Sequence, residues 1–572
     1  MQRRWVSRDH DSAAAERIRA ALGIPAITAR LLTQRGVSDP DAAAAFLEPS
    51  LNQLLDPFRL LGMRAAVDRI GKAIEAKEKI LIYGDYDVDG TTATVLLLKT
   101  FELLGGEASF HVPHRVREGY GMREDVIERA ASEGVKLLIS VDTGIREAAV
   151  VERARELGID AIITDHHLPE EAAPRALAVI NPNQPGCDYP DKNLCGVGIA
   201  FKLAQALLTE TDWPREKVAK ILTSMLKIVA IGTVADLVPL AGENRVFVKI
   251  GLEGLRTPRN PGLDALLEVA GLREKGLVSA GDVGFRIGPR INAAGRMDTA
   301  RDVVELFTTA DPERARELAQ KLDGLNAERQ AAEEAVVEEI LERLGRVPPP
   351  DVLPFLVVEG EGWHPGVIGI CASRIVERFH RPTLVLSIDP ETGLATGSGR
   401  SIPAFHLVEA LEALAPIFER FGGHKMAAGC SLKAERIEAL REGLNEHALN
   451  LLGPDDFIPE LMVDDELEFA AIGDELMGSI AKLAPHGLGN PTPVFATAGV
   501  RLLAEPRVLK EKHLKLRLDH GGSNLWAMGW RMAQLHPALP AGSAMDAAYA
   551  VEADDYWGGW RLNLKDLRQP AS

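Results

Sequence analysis

Cysteine is rare in this chain. Cys187, Cys195, Cys371 and Cys430 are all that 572 residues contain, and no two form a CxxC pair. That excludes a disulfide framework or a zinc ribbon as the source of stability. No apolar run reaches the roughly 18–20 residues that a membrane-spanning helix needs. The stretch from Met1 to Ala20 is charged and has no apolar centre, so no secretory signal is expected. Together these absences predict a cytoplasmic protein. Positive charge is also in deficit: 65 Lys and Arg against 83 Asp and Glu give a net charge of −18. Such a balance disfavours a general polyanion binder but leaves room for a local basic groove. There is no Walker A sequence and no nucleophile elbow, and Gly196-Val-Gly198 lacks the third glycine of a dinucleotide fingerprint.

What is present is enough for several folded units. Hydrophobic residues make up 46% of the chain, and the length predicts three or four domains. Residues 79–167 alternate strand and helix signals: strands at Lys79–Gly84, Lys136–Val141 and Ala161–Thr164, and a Leu-rich helix from Thr91 to Leu104. This βαβ pattern predicts a parallel sheet with helices on both faces, whose ligand site lies beyond the carboxyl ends of the strands. From Asp311 to Arg346 the chain is Ala, Glu, Arg and Leu with almost no breakers, which reads as a long, solvated connecting helix stopped by Val347-Pro-Pro-Pro350. Strands at Phe355–Val358 and Thr383–Leu386 mark a second α/β unit, and Gly453-Pro454 a further boundary. The expected units are therefore 1–48, 49–310, 311–346, 347–452 and 453–572. The last reads as short strands. Its stretch from Arg501 to Arg531 holds seven Lys or Arg against three Asp or Glu, so it is locally basic in an acidic chain. A small oligonucleotide-binding barrel fits this pattern. Trp526 and Trp530 would more often be core in such a barrel than stacking surfaces.

The chemistry concentrates at the strand ends. Gly84-Asp-Tyr-Asp-Val-Asp-Gly90 follows the first strand, and if the loop is extended Asp85, Asp87 and Asp89 share a face. Converging carboxylates repel one another unless a cation neutralises them, and hard divalent ions take such oxygen ligands. An EF-hand is excluded, because a strand precedes the motif and Leu96 stands at its twelfth position. Asp142 ends the second strand in Ser140-Val-Asp-Thr-Gly144, and Asp165-His166-His167 ends the third. Asp236 closes the apolar stretch before Leu237-Val-Pro-Leu240. Imidazole among carboxylates leans toward Mn²⁺ over Mg²⁺. This set has enough ligands for two ions, which suits hydrolysis of a phosphate ester or anhydride.

These four stretches, in order and spacing, resemble the DHH phosphoesterase superfamily, for which Asp165-His166-His167 is the namesake. Pro113–Gly121, Asn193–Ala200, Gly288–Asp298, Gly362–Gly369, Gly397–Ser401, Gly422–Gly429 and Pro485–Pro493 are similar to the RecJ branch of that superfamily. The resemblance implies a DHH domain, a long helix, a DHHA1 domain and an oligonucleotide-binding domain. It implies a 5′→3′ exonuclease on single-stranded DNA that uses Mn²⁺ or Mg²⁺ and releases 5′-mononucleotides. Asp87, Asp89, Asp142, His166 and Asp236 match its metal ligands, with Asp142 as the bridge. Asp85 and His167 complete the catalytic motif. Some superfamily members have a metal-binding histidine where this chain has Tyr83. Arg115, Arg290, Ser398, Arg400, Gly423 and His424 match a pocket for the strand's 5′-phosphate. Arg507, Lys510, Lys512, Lys515 and Arg517 would track backbone phosphates. Single-strand-binding protein and a RecQ-type helicase are the partners the family implies, and a monomer its assembly. Two alternatives stand beside this reading. One is a DHH enzyme for short oligonucleotides or cyclic dinucleotides. The other is a non-catalytic DNA-binding scaffold like the RecJ-like subunit of the eukaryotic replicative helicase.

Overall fold

Five parallel strands form the central sheet, in the order Ala108–His111, Lys79–Tyr83, Val135–Val141, Asp160–Thr164 and Ala178–Ile180. The computed structural model in which this is seen describes residues 3–115, 117–170, 172–554 and 558–570. The inner strands are nearly unbroken apolar runs because both faces are covered, whereas the edge strand Ala108–His111 is only partly buried. Ile80, Ile82, Leu137 and Ile139 face the helices Met63–Glu75, Val88–Leu104 and Gly196–Thr209. Leu81, Tyr83, Leu138 and Ile163 face Glu124–Ser132 and Ala148–Glu156. The carboxyl ends of all the strands lie on one edge, where the acidic loops follow.

A second, helical core adjoins this layer and contains the helices Pro261–Val269, Gly288–Met297 and Arg301–Thr308. The helix Arg215–Ala235 is long and apolar enough to cross a membrane by length and composition. It is packed inside the protein, with Leu226 and Val229 in the sheet's core and Ala230 and Ile231 in the helical one.

The helix Pro312–Leu344 runs 33 residues, and the expectation of a solvated connector fails. Ala315, Leu318, Ala319 and Leu322 belong to the helical core, while Val336 and Ile340 pack with Trp363, Cys371 and Ile375 of the next unit. Its middle buries Asn326, Arg329 and Glu333. The apolar stripe is narrow and shared between two cores, so the charged remainder hid it. The next unit carries a sheet in the order Arg420–Gly423, Ala427–Lys433, Leu394–Arg400, Thr383–Ile388, Leu356–Glu361.

Near the C-terminus, Phe495–Leu502 pairs with Ala544–Ala553, then Trp560–Arg568, Ser523–Gly529 and His513–His520 follow, and the last pairs back to the first. This is the closed five-stranded barrel that the turn-rich sequence predicts. The N-terminal stretch is not a separate piece. Ile18, Leu31, Leu32 and Phe46 share one core with Leu516, Tyr549 and Leu562 of the barrel. The strand Arg4–Ser7 pairs in parallel with Glu460–Val463. Arg245 rivets this unit to the catalytic layer. Its guanidinium is buried over the Phe46 ring at 3.7 Å and donates to the carbonyls of Phe46 (2.6 Å), Ala484 (3.0 Å), Lys482 (3.2 Å) and Pro485 (3.4 Å). Burial, with the Arg35 charge nearby, pushes its pKa down to about 10.

Candidate metal centre and phosphate cleft

The first acidic motif is not an extended run. Its chain turns after Tyr83 and enters a helix at Val88, so Asp87 is the N-cap and Asp89 sits in the first turn. Asp87 Oδ1 accepts the amide of Gly90 at 2.9 Å. A Cβ on Gly90 would lie 2.7 Å from the Asp85 backbone, so only glycine lets this turn fold tightly enough to gather the three acids. Their convergence comes from a helix start, not from strand alternation.

Asp142 follows Val141 with φ of 60°, a left-handed conformation that costs a non-glycine residue roughly 1–3 kcal/mol and is characteristic of functional sites. Leu237, directly after Asp236, also has φ of 60°. Gly196 approaches so closely that a Cβ there would sit 2.6 Å from the Asp142 side chain. The amides of Gly196 and Val197 bind the Asp89 carboxylate at 2.5 and 2.7 Å, anchoring that acid on a helix N-terminus. Asp165 acts differently. Its carboxylate accepts from the amides of Ile145, His166 and His167 and from His167 Nδ1 at 2.7 Å, so it orients the histidines.

The ligand atoms converge. His166 Nε2 lies 3.1 Å from Asp142 Oδ1, 3.8 Å from Asp236 Oδ2 and 3.9 Å from Asp89 Oδ2. Asp85, Asp87 and Asp142 present oxygens within 4.8 Å of one another, so Asp142 stands between two groups of donors. Among the described residues, Asp85 Oδ1, Asp142 Oδ1, His166 Nε2 and Asp236 Oδ2 are buried without a hydrogen-bond partner. Burial and then the charges of neighbouring acids drive the carboxyls up: Asp89 to about 7, Asp236 to about 9, and Asp85 and Asp142 far above the ordinary range. Burial and the His167 charge push His166 down to about 4, so it stays neutral and offers a lone pair. His167 moves up despite its burial, because it is bonded to Asp165. Acids that cannot ionise together, beside orphaned lone pairs, fit hard divalent cations. Tyr83 is no substitute ligand. It is wholly buried in the sheet core, and its hydroxyl donates to Gly121 O at 3.3 Å.

Arginines gather beside this centre. Arg115 lies 5.0 Å over the Tyr86 ring. Arg400 donates to Ser398 Oγ at 3.1 Å and to Gly399 O at 2.8 Å. Arg290, expected here, turns the other way. Its donors go to Asp323 (2.8 Å), Arg286 O (2.6 Å) and Val269 O (3.3 Å). Six residues further, on a different face of the same helix, Arg296 reaches the cleft and donates to Gly366 O at 2.9 Å. Its pKa falls to about 10 through burial and then the charges of Arg115, Arg329 and Arg400. Arg296 and Arg329 were missed by sequence reasoning. Arg329 is held by Glu333 (2.6 Å) and Asn326 (2.9 Å) on the long helix, where nothing in the local pattern marked it. Both line a cavity of about 480 Å³ that also meets Phe285, Leu237 and His486. Gly423 lies on the edge strand and His424 is exposed on the hairpin after it.

On the barrel, Arg507, Lys510 and Lys512 are exposed, and Lys515 and Arg517 cover the Trp526 ring at 4.5 and 4.9 Å. Neither tryptophan is core: Trp526 is half-buried and Trp530 is 47% exposed. On so small a barrel the inward positions are filled by Leu514, Leu516 and Leu518.

Comparison with known proteins agrees with this architecture. Residues 79–233 match the DHH family N-terminal domain, 353–449 the DHHA1 domain and 463–566 the RecJ OB domain. The chain is 40% identical over 554 residues to the single-stranded-DNA-specific exonuclease RecJ of Bacillus subtilis (strain 168), covering 97% of this chain and 69% of that one. It is 38% identical to the RecJ of Dickeya dadantii (strain 3937), covering 95% of each. The crystal structure of RecJ in complex with Mn²⁺ from Thermus thermophilus superposes with a TM-score of 0.83 at 30% identity, covering all of this chain and 80% of that one. The crystal structure of an exonuclease RecJ bound to manganese gives a TM-score of 0.61 at 34% identity, covering 71% of this chain and 98% of that one.

Proposed function

This chain belongs to the RecJ family, whose named relatives are single-stranded-DNA-specific exonucleases, and from that premise we propose that it hydrolyses single-stranded DNA in the 5′→3′ direction to 5′-mononucleotides. Asp87, Asp89, Asp142, His166 and Asp236 would hold two divalent cations, Mn²⁺ or Mg²⁺, and Asp142 belongs to both groups of donors. When bound, the ions polarise the phosphodiester and lower the pKa of an attacking water. Asp85 adds a buried charge that tightens their binding. His167 is held by Asp165 through Nδ1, which leaves Nε2 to donate to the leaving oxygen or to the scissile phosphate. Arg115, Arg296 and Arg400, with Ser398, grip the 5′-phosphate, because converging guanidiniums need an anion. That grip makes the reaction start at a 5′ end. Arg507, Lys510, Lys512, Lys515 and Arg517 hold the strand's phosphates further along, with Trp526 and Trp530 as stacking surfaces. Gly423 and His424 are assigned to the same cleft, because their hairpin's other strand pairs with the strand that carries Ser398 and Arg400.

The observation that carries the reading is the set of orphaned lone pairs on Asp142, His166 and Asp236, lying close to an arginine cluster. We place the enzyme in the cytoplasm as a monomer acting in recombination and repair, with single-strand-binding protein and a RecQ-type helicase as partners. We keep 49–310, 311–346 and 347–452 as the units along the chain, but a truncation should not part 311–346 from its neighbours, whose cores it completes, and 1–48 and 453–572 belong together because they share a core.

The test is digestion of 3′-labelled single-stranded DNA with Mn²⁺ or Mg²⁺, beside duplex DNA and a dinucleotide. Stepwise loss from the 5′ end of the single strand alone is expected. Cleavage of the dinucleotide alone would move the chain to the small-substrate DHH enzymes, and binding without cleavage would make it a scaffold.

A further inference from the structure

Cys195 is the one residue at the metal centre that a hard-ion site does not need. It occupies the N-cap position of the helix Gly196–Thr209 and is fully buried. Its thiol donates to Thr233 Oγ1 at 3.5 Å. Ligand atoms of Asp89, Cys195 and Asp236 all lie within 4.8 Å of one another. A second observation points to a ligand on this side of the site. Asp142 is 2% exposed and its Oδ1 has no hydrogen-bond partner; His166 Nε2, equally unpartnered, lies 3.1 Å from it and 3.8 Å from Asp236 Oδ2.

We propose that this centre also takes a thiophilic divalent cation, Cd²⁺ or Zn²⁺, through Cys195 Sγ with Asp89, Asp236 and His166, in competition with the hard cation. The proposal rests on the assignment of Asp89, Asp236 and His166 as ligands. The chemistry follows from donor softness. Mg²⁺ has no use for sulfur, whereas one sulfur, one imidazole and two carboxylates form a four-donor set that zinc accepts in tetrahedral geometry. Metal–sulfur distances of about 2.3 Å and metal–oxygen distances of about 2.0–2.2 Å draw the donors somewhat closer than their present spacing. The ion takes up the thiolate, and the thiol proton leaves to solvent. Because Asp89, Asp236 and His166 would serve both ions, the soft cation is an inhibitor that binds where the activator binds. Cys371 and Cys430 are buried in the second α/β unit, and Cys187 is half-buried.

The test uses the full chain stripped of metal by a chelator and titrated with Cd²⁺, reading the ultraviolet sulfur-to-cadmium charge-transfer band. The band should saturate at one equivalent, persist in C187S, vanish in C195S and disappear from the wild-type protein as Mn²⁺ is added. Cd²⁺ affinity should fall on the order of 10- to 100-fold in C195S relative to Mn²⁺ affinity measured on the same protein. A band that survives in C195S, no band at all, or a band that Mn²⁺ does not displace would each overturn the proposal. If C195S does not fold, the Mn²⁺ displacement in wild-type protein still decides. Nuclease activity with Mn²⁺ is assayed on the same preparation, so a failure of the exonuclease assignment is seen separately from a failure of the soft-ion site.

Discussion

His166 Nε2 stands 3.1 Å from Asp142 Oδ1, and neither atom makes a hydrogen bond. Two polar atoms buried this close with no hydrogen-bond partner mark the place for a cation. Asp142→Asn removes one negative charge and keeps the shape. Activity should fall by roughly 10³-fold or more, since the carboxylate proposed to serve both ions would be lost. Without metal, this variant should melt at or above the wild-type temperature, because an acid pushed far above its usual range is no longer forced to ionise. The melting shift produced by added Mn²⁺ should shrink. A metal-free D142N that melts well below wild type would contradict this account.

Metal removal should make stability depend on pH with a definite sign. Asp89 and Asp236 are raised to about 7 and about 9 by burial and neighbouring charge. Between the ordinary carboxylate range and those values the folded, metal-free protein holds protons that the unfolded chain has released. Its stability therefore falls as pH rises through that window. Thermal melts of chelated protein should show a lower midpoint at pH 8.5 than at pH 6. Saturating Mg²⁺ should remove the trend, because its ligands must be deprotonated to bind.

Arg296 and Arg290 lie on one helix and make opposite predictions. R296A should abolish most of the preference for a 5′-phosphorylated over a 5′-hydroxyl end, a loss of about 10-fold or more for a charge-assisted phosphate contact. R290A, which breaks a pair with the half-exposed Asp323, should cost about 1 kcal/mol or less in stability and leave that preference intact. Comparing the two end chemistries on each variant checks both.

Arg245→Met should destabilise without touching the chemistry. It strands four carbonyls, those of Phe46, Lys482, Ala484 and Pro485. Each costs about 1–3 kcal/mol if left buried and unpaired. Limited proteolysis should then cut near 482–485 at a denaturant concentration that leaves wild type intact.

The barrel's basic strand should show in the salt dependence of DNA binding. Replacing Lys510 and Lys512 with Ala should lower the slope of log affinity against log salt by about 1.4, roughly 0.7 for each phosphate contact to a single strand. An unchanged slope would remove these two lysines from the strand's path.

The acidic loops, the histidine pair, the parallel sheet and the terminal barrel could be read along the chain because each is local. Strand ends are marked by apolar runs, and Asp85, Asp87, Asp89, Asp142 and His166 follow them within a few residues. What the sequence could not decide was which face a side chain takes and which segments share a core. Arg290 and Arg296 look equivalent in one motif, and only the phase of the helix against its neighbours sends the first to Asp323 and the second to the cleft. Arg329 lay hidden in a helix whose charge made it look solvated, because its apolar stripe is divided between two cores. Ile18 and Leu564 lie near opposite ends of the chain yet share one core, and no local pattern encodes that pairing. Composition and periodicity determine the elements and place the chemistry at their ends. Tertiary packing alone decides which charges are buried together, and therefore where an ion or a phosphate must sit.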